Sequence, residues 1–213
     1  YTPPEPNLEP YRRWLERAGE EALVMGDLGN AVCLPAAYFS PHDFCLMWAD
    51  EPNLVEELTA ETNRRLLAFV EKCCQAGVQA YRIVGGEYVT VQLGPRAVEQ
   101  LLAPFDTELI ALIHRYGGIT YYHNHGPVMR YLEALADLGT DALEPVEAPP
   151  WGDCDLAEAQ RRIGSRVCLV GNLDDMEVID RLPAEQVKRI ARERLEAAGA
   201  RGFVLAGTAS GTY

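Results

Sequence analysis

The chain has 213 residues, 48% of them hydrophobic and 24% charged, and a formal net charge of -13 at pH 7. This length and composition are typical of a globular protein that buries a substantial core. The negative charge argues against binding to nucleic acid or to an anionic membrane surface, and no apolar run approaches the roughly 20 residues of a membrane-spanning helix.

Strands and helices are predicted to alternate along most of the chain. A first strand is predicted over 22–27 and a long helix over 52–75. The later strands are predicted over 80–85, 119–125, 141–147, 167–171 and 202–206. The helices between them are predicted over 95–116, 128–138, 155–163 and 184–198, from apolar residues at helical spacing.

This alternation predicts right-handed βαβ units on a parallel sheet. An open doubly wound sheet and a (β/α)8 TIM barrel both fit the pattern. No GxGxxG or Walker loop follows any predicted strand, which disfavours the nucleotide-binding version. A barrel needs eight strands, so either the first fifty residues contain further strands or the chain lacks part of its barrel. The first residue is Tyr1 rather than methionine, so we expect a longer parent protein.

His123-Asn124-His125 ends the predicted strand over 119–125, and only four histidines occur in the chain. On a strand, residues i and i+2 point to the same side, so both imidazoles are expected to aim at one place. That place lies at the carboxyl end of the strand, where α/β proteins bind their ligands. Two converging imidazoles predict a metal site. The alternative is a pair of histidines hydrogen-bonded to neighbouring loops.

Carboxylates follow the neighbouring predicted strands. Glu144 and Glu147 end the strand after the histidine pair, and Glu87 follows the strand over 80–85. Either Glu144 or Glu147 could supply a third metal ligand. The alternative for each is a solvated loop carboxylate.

Asn172 stands in the run Gly171-Asn172-Leu173-Asp174 at the end of the strand over 167–171. An asparagine there can donate and accept hydrogen bonds to a ligand at once. The alternative is an Asx-type turn that caps the strand. His42 and His114 are expected to be structural, and no Ser/His/Asp triad or thiol with an adjacent base is found.

The six cysteines show no CxxC spacing. Buried free thiols in a reducing compartment are therefore favoured over disulfides. A cytoplasmic location is expected.

Several segments in this order resemble the uroporphyrinogen decarboxylase superfamily, which includes the cobamide-dependent methyltransferases related to the methanol and methylamine:coenzyme M systems. They are Gly139-Thr140-Asp141, GNLDD at 171–175, LPAEQV at 182–187 and GFVL at 202–205. The likeness is clearest over 80–211. It implies one TIM-barrel domain over 1–213, corresponding to the C-terminal two-thirds of a longer family barrel.

The methyltransferase branch is the nearer one, and it implies a metal-dependent methyltransferase that acts with a corrinoid protein or a small methyl donor or acceptor. That branch binds zinc through a His-X-Cys pair, a cysteine in the last loop and in some members a glutamate. Here His123 matches the histidine, His125 replaces the first cysteine, and the last cysteine falls at about Ala209. The resemblance therefore implies a divalent metal, zinc or a harder ion, on His123, His125 and Glu147, with Glu144 as competitor for the third place. Glu87 and Asn172 are implied as catalytic-pocket residues that place the substrate.

Two alternatives stay open. A porphyrinogen decarboxylase of this superfamily needs no metal, but its final-loop histidine also falls at about Ala209. A divergent barrel that binds a small molecule without metal is the other.

Overall fold

The computed structural model describes residues 1–208, and its α/β architecture contains a six-stranded sheet in the order β1-β2-β3-β4-β5-β6. The strands are β1 Gly26–Gly29, β2 Ala80–Val84, β3 Ile119–His123, β4 Ala142–Glu144, β5 Cys168–Leu173 and β6 Phe203–Gly207. The helices are α1 Glu9–Ala18, α2 Cys33–Tyr38, α3 Pro41–Asp50, α4 Pro52–Gln75, α5 Pro95–Ala97, α6 Ala103–Arg115, α7 Leu132–Asp137, α8 Leu156–Ile163 and α9 Ala184–Ala198. None of the helices within 1–208 is long and apolar enough to cross a membrane.

The chain divides into two compact units, the first ending at Tyr121 and the second beginning at Tyr122. In the first unit, β1 and β2 pair in parallel, from Gly26 opposite Tyr81 to Gly29 opposite Val84. Helix α4 packs against α2, α3 and α6. The largest buried side chains of this unit come from α3, from β2, from the segment that leads into α6 and from α6 itself: Phe44, Tyr81, Ile83, Leu101, Leu102, Leu109, Ile110 and Ile113.

In the second unit, β5 lies between β4 and β6 and pairs in parallel with both. Helix α8 packs against α7 and α9, and its first turn is capped by Asp155, whose Oδ1 accepts from the Glu158 amide at 3.0 Å. Apolar side chains of this unit are buried between strands and helices: Tyr122, Leu132, Leu135, Leu143, Ala159, Ile163 and Leu169. The sheet therefore presents the carboxyl ends of three neighbouring parallel strands at one edge of this unit.

The predicted α/β class with parallel strands is confirmed, but several boundaries were wrong. The first strand is Gly26–Gly29 rather than 22–27, and Leu23 is 59% exposed. Two glycines in a four-residue strand leave almost no propensity signal. Strand β4 stops at Glu144 rather than 147, because Pro145 has no amide hydrogen to extend the ladder.

The helix predicted over 95–116 is interrupted. A π-helical segment, Val98–Leu102, separates α5 from α6, and another covers Tyr88–Leu93. The helix predicted over 128–138 begins as a 3₁₀ turn at Met129–Tyr131 before α7. The spacing of apolar residues does not distinguish a tighter 3₁₀ turn or a wider π-helical turn from an α-helix. The sequence pattern therefore predicts one continuous helix in each region.

Candidate functional site: paired histidines and glutamates

His123 is the last residue of β3, and its imidazole Nδ1 contacts the Oε2 atom of Glu144. Glu144 is in turn the last residue of β4. Both side chains are buried, with 6% of each residue exposed. A carboxylate only accepts, so the imidazole donates from Nδ1. The expectation that strand ends would bring a histidine and a glutamate together holds for this pair.

His125 lies just beyond the strand and forms a second pair. Its Nδ1 is 3.1 Å from Oε1 of Glu147, while Oε2 of Glu147 accepts from the Gly126 amide at 2.7 Å. The two imidazole rings have centroids 4.4 Å apart and stand nearly perpendicular, at 84°. The structure thus brings both predicted histidines together and places a different glutamate beside each, while the choice between Glu144 and Glu147 as a third metal ligand stays a prediction.

Backbone hydrogen bonds hold the segments that carry these side chains. The Asn124 amide donates to the Glu144 carbonyl at 2.7 Å, so the residue between the histidines is tied to β4. The Cys154 amide donates to the Glu147 carbonyl at 2.9 Å, which folds the following loop back on itself. Gly152 fills the inside of this loop, where a Cβ would overlap the Glu147 carbonyl oxygen. The positions of both glutamates are therefore set by main-chain contacts.

Asn172 lies within β5 and has a left-handed backbone, with φ of 65°. Its Nδ2 donates to the Val146 carbonyl at 2.6 Å, and Val146 stands between Glu144 and Glu147 in the chain. Its Oδ1 is buried without a hydrogen-bond partner. The side chain thus joins β5 to the glutamate-bearing segment, and the alternative of an isolated Asx-type turn does not describe it.

Two aspartates that follow Asn172 were missed by the sequence reasoning. Asp174 caps the π-helical segment Asp175–Ile179, with Oδ1 accepting from the Glu177 amide at 2.7 Å. Asp175 is only 3% exposed, and its Oδ2 is buried without a hydrogen-bond partner. The sequence feature that could have pointed to them is the pair of consecutive aspartates in GNLDD at 171–175.

Glu87 belongs to the first unit and precedes the segment Tyr88–Leu93. It is partly buried, and its Oε2 has no hydrogen-bond partner. Its charge adds to the effect of burial on the nearby Cys33 thiol, whose pKa is raised to about 11. A catalytic role for Glu87 stays a prediction, as does the one for Asn172. The last-loop position near Ala209 lies outside the described residues.

The chemistry of the donor set suits a divalent ion, although no ready coordination shell is formed. Within 1–208, no group of three or more His, Cys, Asp or Glu side chains is arranged to hold a metal. Both oxygens of Glu147, the predicted third ligand, already accept hydrogen bonds. Each histidine does have a carboxylate in contact with its Nδ1 atom. Metal-binding histidines ordinarily have such an outer partner. Two imidazoles therefore fit as metal ligands, with the glutamates behind them.

Comparison with known proteins places these features in a family. The family profile described as uroporphyrinogen decarboxylase (URO-D) matches residues 7–209. The chain belongs to the uroporphyrinogen decarboxylase family. The resemblance deduced from the GNLDD run and its neighbours is thereby confirmed.

Relatives of both branches of this family are similar to the chain. A uroporphyrinogen decarboxylase of Methylococcus capsulatus is 29% identical over 86% of this chain and 52% of its own length. The methylcobamide:CoM methyltransferase MtaA of Methanosarcina barkeri is 23% identical over 89% of this chain and 54% of its own length. The chain thus spans about half the length of these curated relatives.

Among solved structures, a methyltransferase from Methanosarcina mazei matches with a TM-score of 0.78 at 22% sequence identity. The match covers 94% of this chain and 57% of that one. This likeness confirms the fold predicted for this uroporphyrinogen decarboxylase family member, that of a TIM barrel.

Proposed function

We propose that this family member is a metal-dependent methyltransferase that acts with a corrinoid-bearing partner or a small methyl donor. His123 and His125 would hold a divalent ion, zinc being the first candidate. The pairing of each Nδ1 with a glutamate carboxylate is the observation that carries this proposal. Zinc, the corrinoid partner and a cytoplasmic location all belong to the proposal.

The pairing matters because it sets the tautomer of each imidazole. A histidine that donates its Nδ1 hydrogen to a carboxylate carries its ring lone pair on Nε2. That is the form which binds a metal, and the carboxylate also fixes the orientation of the ring. Glu144 and Glu147 thus prepare two neighbouring rings in the same way.

Each residue of the cluster then has a distinct task. His123 and His125 bind, and Glu144 and Glu147 hold the rings in position. The Gly126 amide holds the second oxygen of Glu147 and so fixes the carboxylate that orients His125. A divalent ion bound there would supply a Lewis acid and an orienting template for the methyl acceptor or donor.

The comparisons support methyl transfer in two ways. One relative carries the name methylcobamide:CoM methyltransferase, and the matching solved structure is that of a methyltransferase. The methyl acceptor is identified neither by the histidine pair nor by the fold. The absence of a cysteine from the His123-Asn124-His125 motif makes the ligand set less electron-rich than a thiolate site, which favours an acceptor other than a thiol.

A second candidate is decarboxylation of a porphyrinogen. It is favoured by the relatives named uroporphyrinogen decarboxylase, one of them 29% identical over 86% of this chain. In that case the two histidine–glutamate pairs would act without metal, as two adjacent ion pairs in which each charge is compensated. Metal content therefore separates the two candidates.

The deciding experiment is the number of divalent ions per chain in protein purified without an affinity tag. We expect about one ion per chain in the parent protein, and loss of that ion in His123→Ala and in His125→Ala. His42→Ala is the matched control, because His42 is exposed and forms an ion pair with the neighbouring Asp43. Metal-free parent protein after incubation with zinc would overturn the proposal and favour the decarboxylase.

Activity follows from the same samples. Transfer of the methyl group from methylcobalamin to an added nucleophilic acceptor is followed by the visible absorbance of the corrinoid, and porphyrinogen decarboxylation by fluorescence of the oxidised product. We expect the first signal to depend on both histidines. A decarboxylation signal that survives in His123→Ala would contradict the assignment.

A further inference from the structure

Two buried acceptor oxygens belong to residues three positions apart in the chain, at the end of β5. Oδ1 of Asn172 and Oδ2 of Asp175 are each buried without a hydrogen-bond partner. The residues are 2% and 3% exposed. An unsatisfied buried polar atom costs free energy and is uncommon in a folded protein, so two of them in one short segment require an explanation.

The orientation of the Asn172 amide follows from its neighbour. The Val146 carbonyl can only accept, so the group that faces it at 2.6 Å must be Nδ2. Oδ1 therefore points away from Val146. The amide presents an acceptor, rather than a donor, to whatever occupies the space beyond it.

Asp175 adds a formal charge to this acceptor. Its carboxylate packs against Gly207 of β6, where a Cβ would overlap Oδ1, so that glycine is required for the carboxylate to lie there. No ion pair joins Asp175 to a lysine, arginine or histidine within residues 1–208, although the exposed acids of this unit are paired several times with arginine. A buried carboxylate without a cation is expensive unless a ligand compensates it.

The adjacent acid in the chain brings no positive charge to this place. Oδ1 of Asp174 accepts from the Glu177 amide at 2.7 Å, so that carboxylate is satisfied by a main-chain donor. A donor that carries positive charge would complement the two unsatisfied oxygens at the end of β5.

We propose that Asn172 and Asp175 form a recognition site for a small cationic N–H donor, an ammonium group of the substrate or of a ligand that regulates the site. This inference rests on the proposed function only for the location of the substrate at the carboxyl ends of β4 and β5. An ammonium group offers several N–H donors on one positive charge and suits a pair made of one neutral and one charged acceptor.

The test is a thermal-unfolding titration with three chlorides at equal ionic strength, using protein treated with a chelator. Ethylammonium carries charge and N–H donors, tetramethylammonium carries charge without donors, and potassium is the baseline. We expect ethylammonium alone to raise the midpoint temperature, by about 3 °C near saturation. An equal rise with potassium or tetramethylammonium, or no rise with ethylammonium, would overturn the proposal.

Asp175→Asn is the informative variant, because it keeps the shape of the side chain and removes its charge. It should abolish the ethylammonium effect and, without ligand, raise the midpoint or leave it unchanged, since an uncompensated buried charge is removed. Asp180→Asn, in an exposed position of the same segment, is the matched control and should respond like the parent. A lower midpoint in Asp175→Asn with the ethylammonium response intact would mean a purely structural aspartate. Since metal has been removed, failure of the metal site does not affect the result.

Discussion

At the scale of single residues, the glutamates behind the histidines are open to direct test. Glu144→Gln and Glu147→Gln keep the size of each side chain but remove the charge that faces Nδ1. We expect either change to weaken zinc affinity roughly 10- to 100-fold, the usual effect of losing an outer carboxylate partner. Competition with a chromogenic chelator measures it.

Unchanged affinity in both variants would mean that the carboxylates do not support a metal. If Glu147 were instead a direct ligand, as the sequence suggested, Glu147→Gln should reduce the stoichiometry as well as the affinity, while Glu144→Gln should not. The two variants thus separate a ligand from its outer partner.

Asn172 combines backbone strain with a side-chain bond, and two substitutions separate these contributions. Both Asn172→Gly and Asn172→Ala lose the bond to the Val146 carbonyl. Glycine accepts a φ of 65° without strain, whereas alanine does not. We therefore expect urea denaturation to show alanine less stable than glycine by about 1 kcal/mol. Equal stabilities would show that the backbone relaxes.

At the scale of elements, the α7–α8 contact is fixed by an ion pair at the surface. Arg162 donates from Nε and Nη2 to the two carboxylate oxygens of Glu133, at 2.7 and 2.6 Å. This pairing lowers the pKa of Glu133 to about 2. A depressed carboxyl pKa contributes stability above the ordinary value near 4.5, and the contribution is lost as pH falls from there towards 2.

Glu133→Gln should therefore cost about 0.5 kcal/mol at pH 7, a small value because solvent screens the exposed pair. The cost should vanish as pH falls through 2, because the parent carboxyl then becomes neutral as well. Urea unfolding at several pH values measures this dependence. Glu185→Gln, on an exposed glutamate that pairs with Lys188 of the same helix at i+3, is the comparison variant. A pH-independent difference would exclude the ion pair as its cause.

The elements also show what the sequence could and could not predict. Helical spacing of apolar residues located the long helix α4, and short apolar runs between the predicted helices located β2, β3 and β5. Helical spacing predicted one helix over 95–116 where the structure has α5, the π-helical segment Val98–Leu102 and α6. One extra residue in a π-helical turn barely changes which residues are buried. The strand predicted over 22–27 is displaced from β1, because the two glycines of β1 have no side chains that could give an apolar pattern.

The candidate site was predicted to a similar extent. Strand ends predicted that His123, His125 and a glutamate would meet, because parallel strands place their carboxyl ends at one edge of the sheet. The pairing of one glutamate with each histidine was not predictable, since it depends on how the chain turns after Pro145. Asp175 was missed because its burial depends on contact with Gly207, which is 32 residues away along the chain.

At the scale of the whole molecule, the free thiols give a further prediction. All six cysteines are free; Cys73, Cys74 and Cys154 are buried, whereas Cys33, Cys45 and Cys168 are partly exposed. Burial raises the pKa of the Cys154 thiol to about 12. We expect Cys154 to stay unmodified by iodoacetamide at pH 8 in the folded protein and to react fully in urea, as mass spectrometry of peptides would show.

Rapid alkylation of Cys154 in the native state would show that the loop after Glu147 opens, since the Cys154 amide bonds to the Glu147 carbonyl. The same experiment on zinc-loaded protein gives a second comparison. We expect no change at Cys154, because the ion would be held by His123 and His125 rather than by a thiol.

The bond between Asn172 and the Val146 carbonyl has a thermodynamic consequence. Val146 lies between the two glutamates that hold the histidines, and its amide also donates to the Val170 carbonyl of β5 at 3.1 Å. A head group that draws on Asn172 therefore acts on the same short segment that positions both imidazoles. By linkage, an ammonium ligand and a metal ion in these neighbouring places change each other's affinity by one common factor. The affinity of the ammonium ligand then depends on whether the metal ion is bound, and the affinity of the metal ion depends equally on the ammonium ligand.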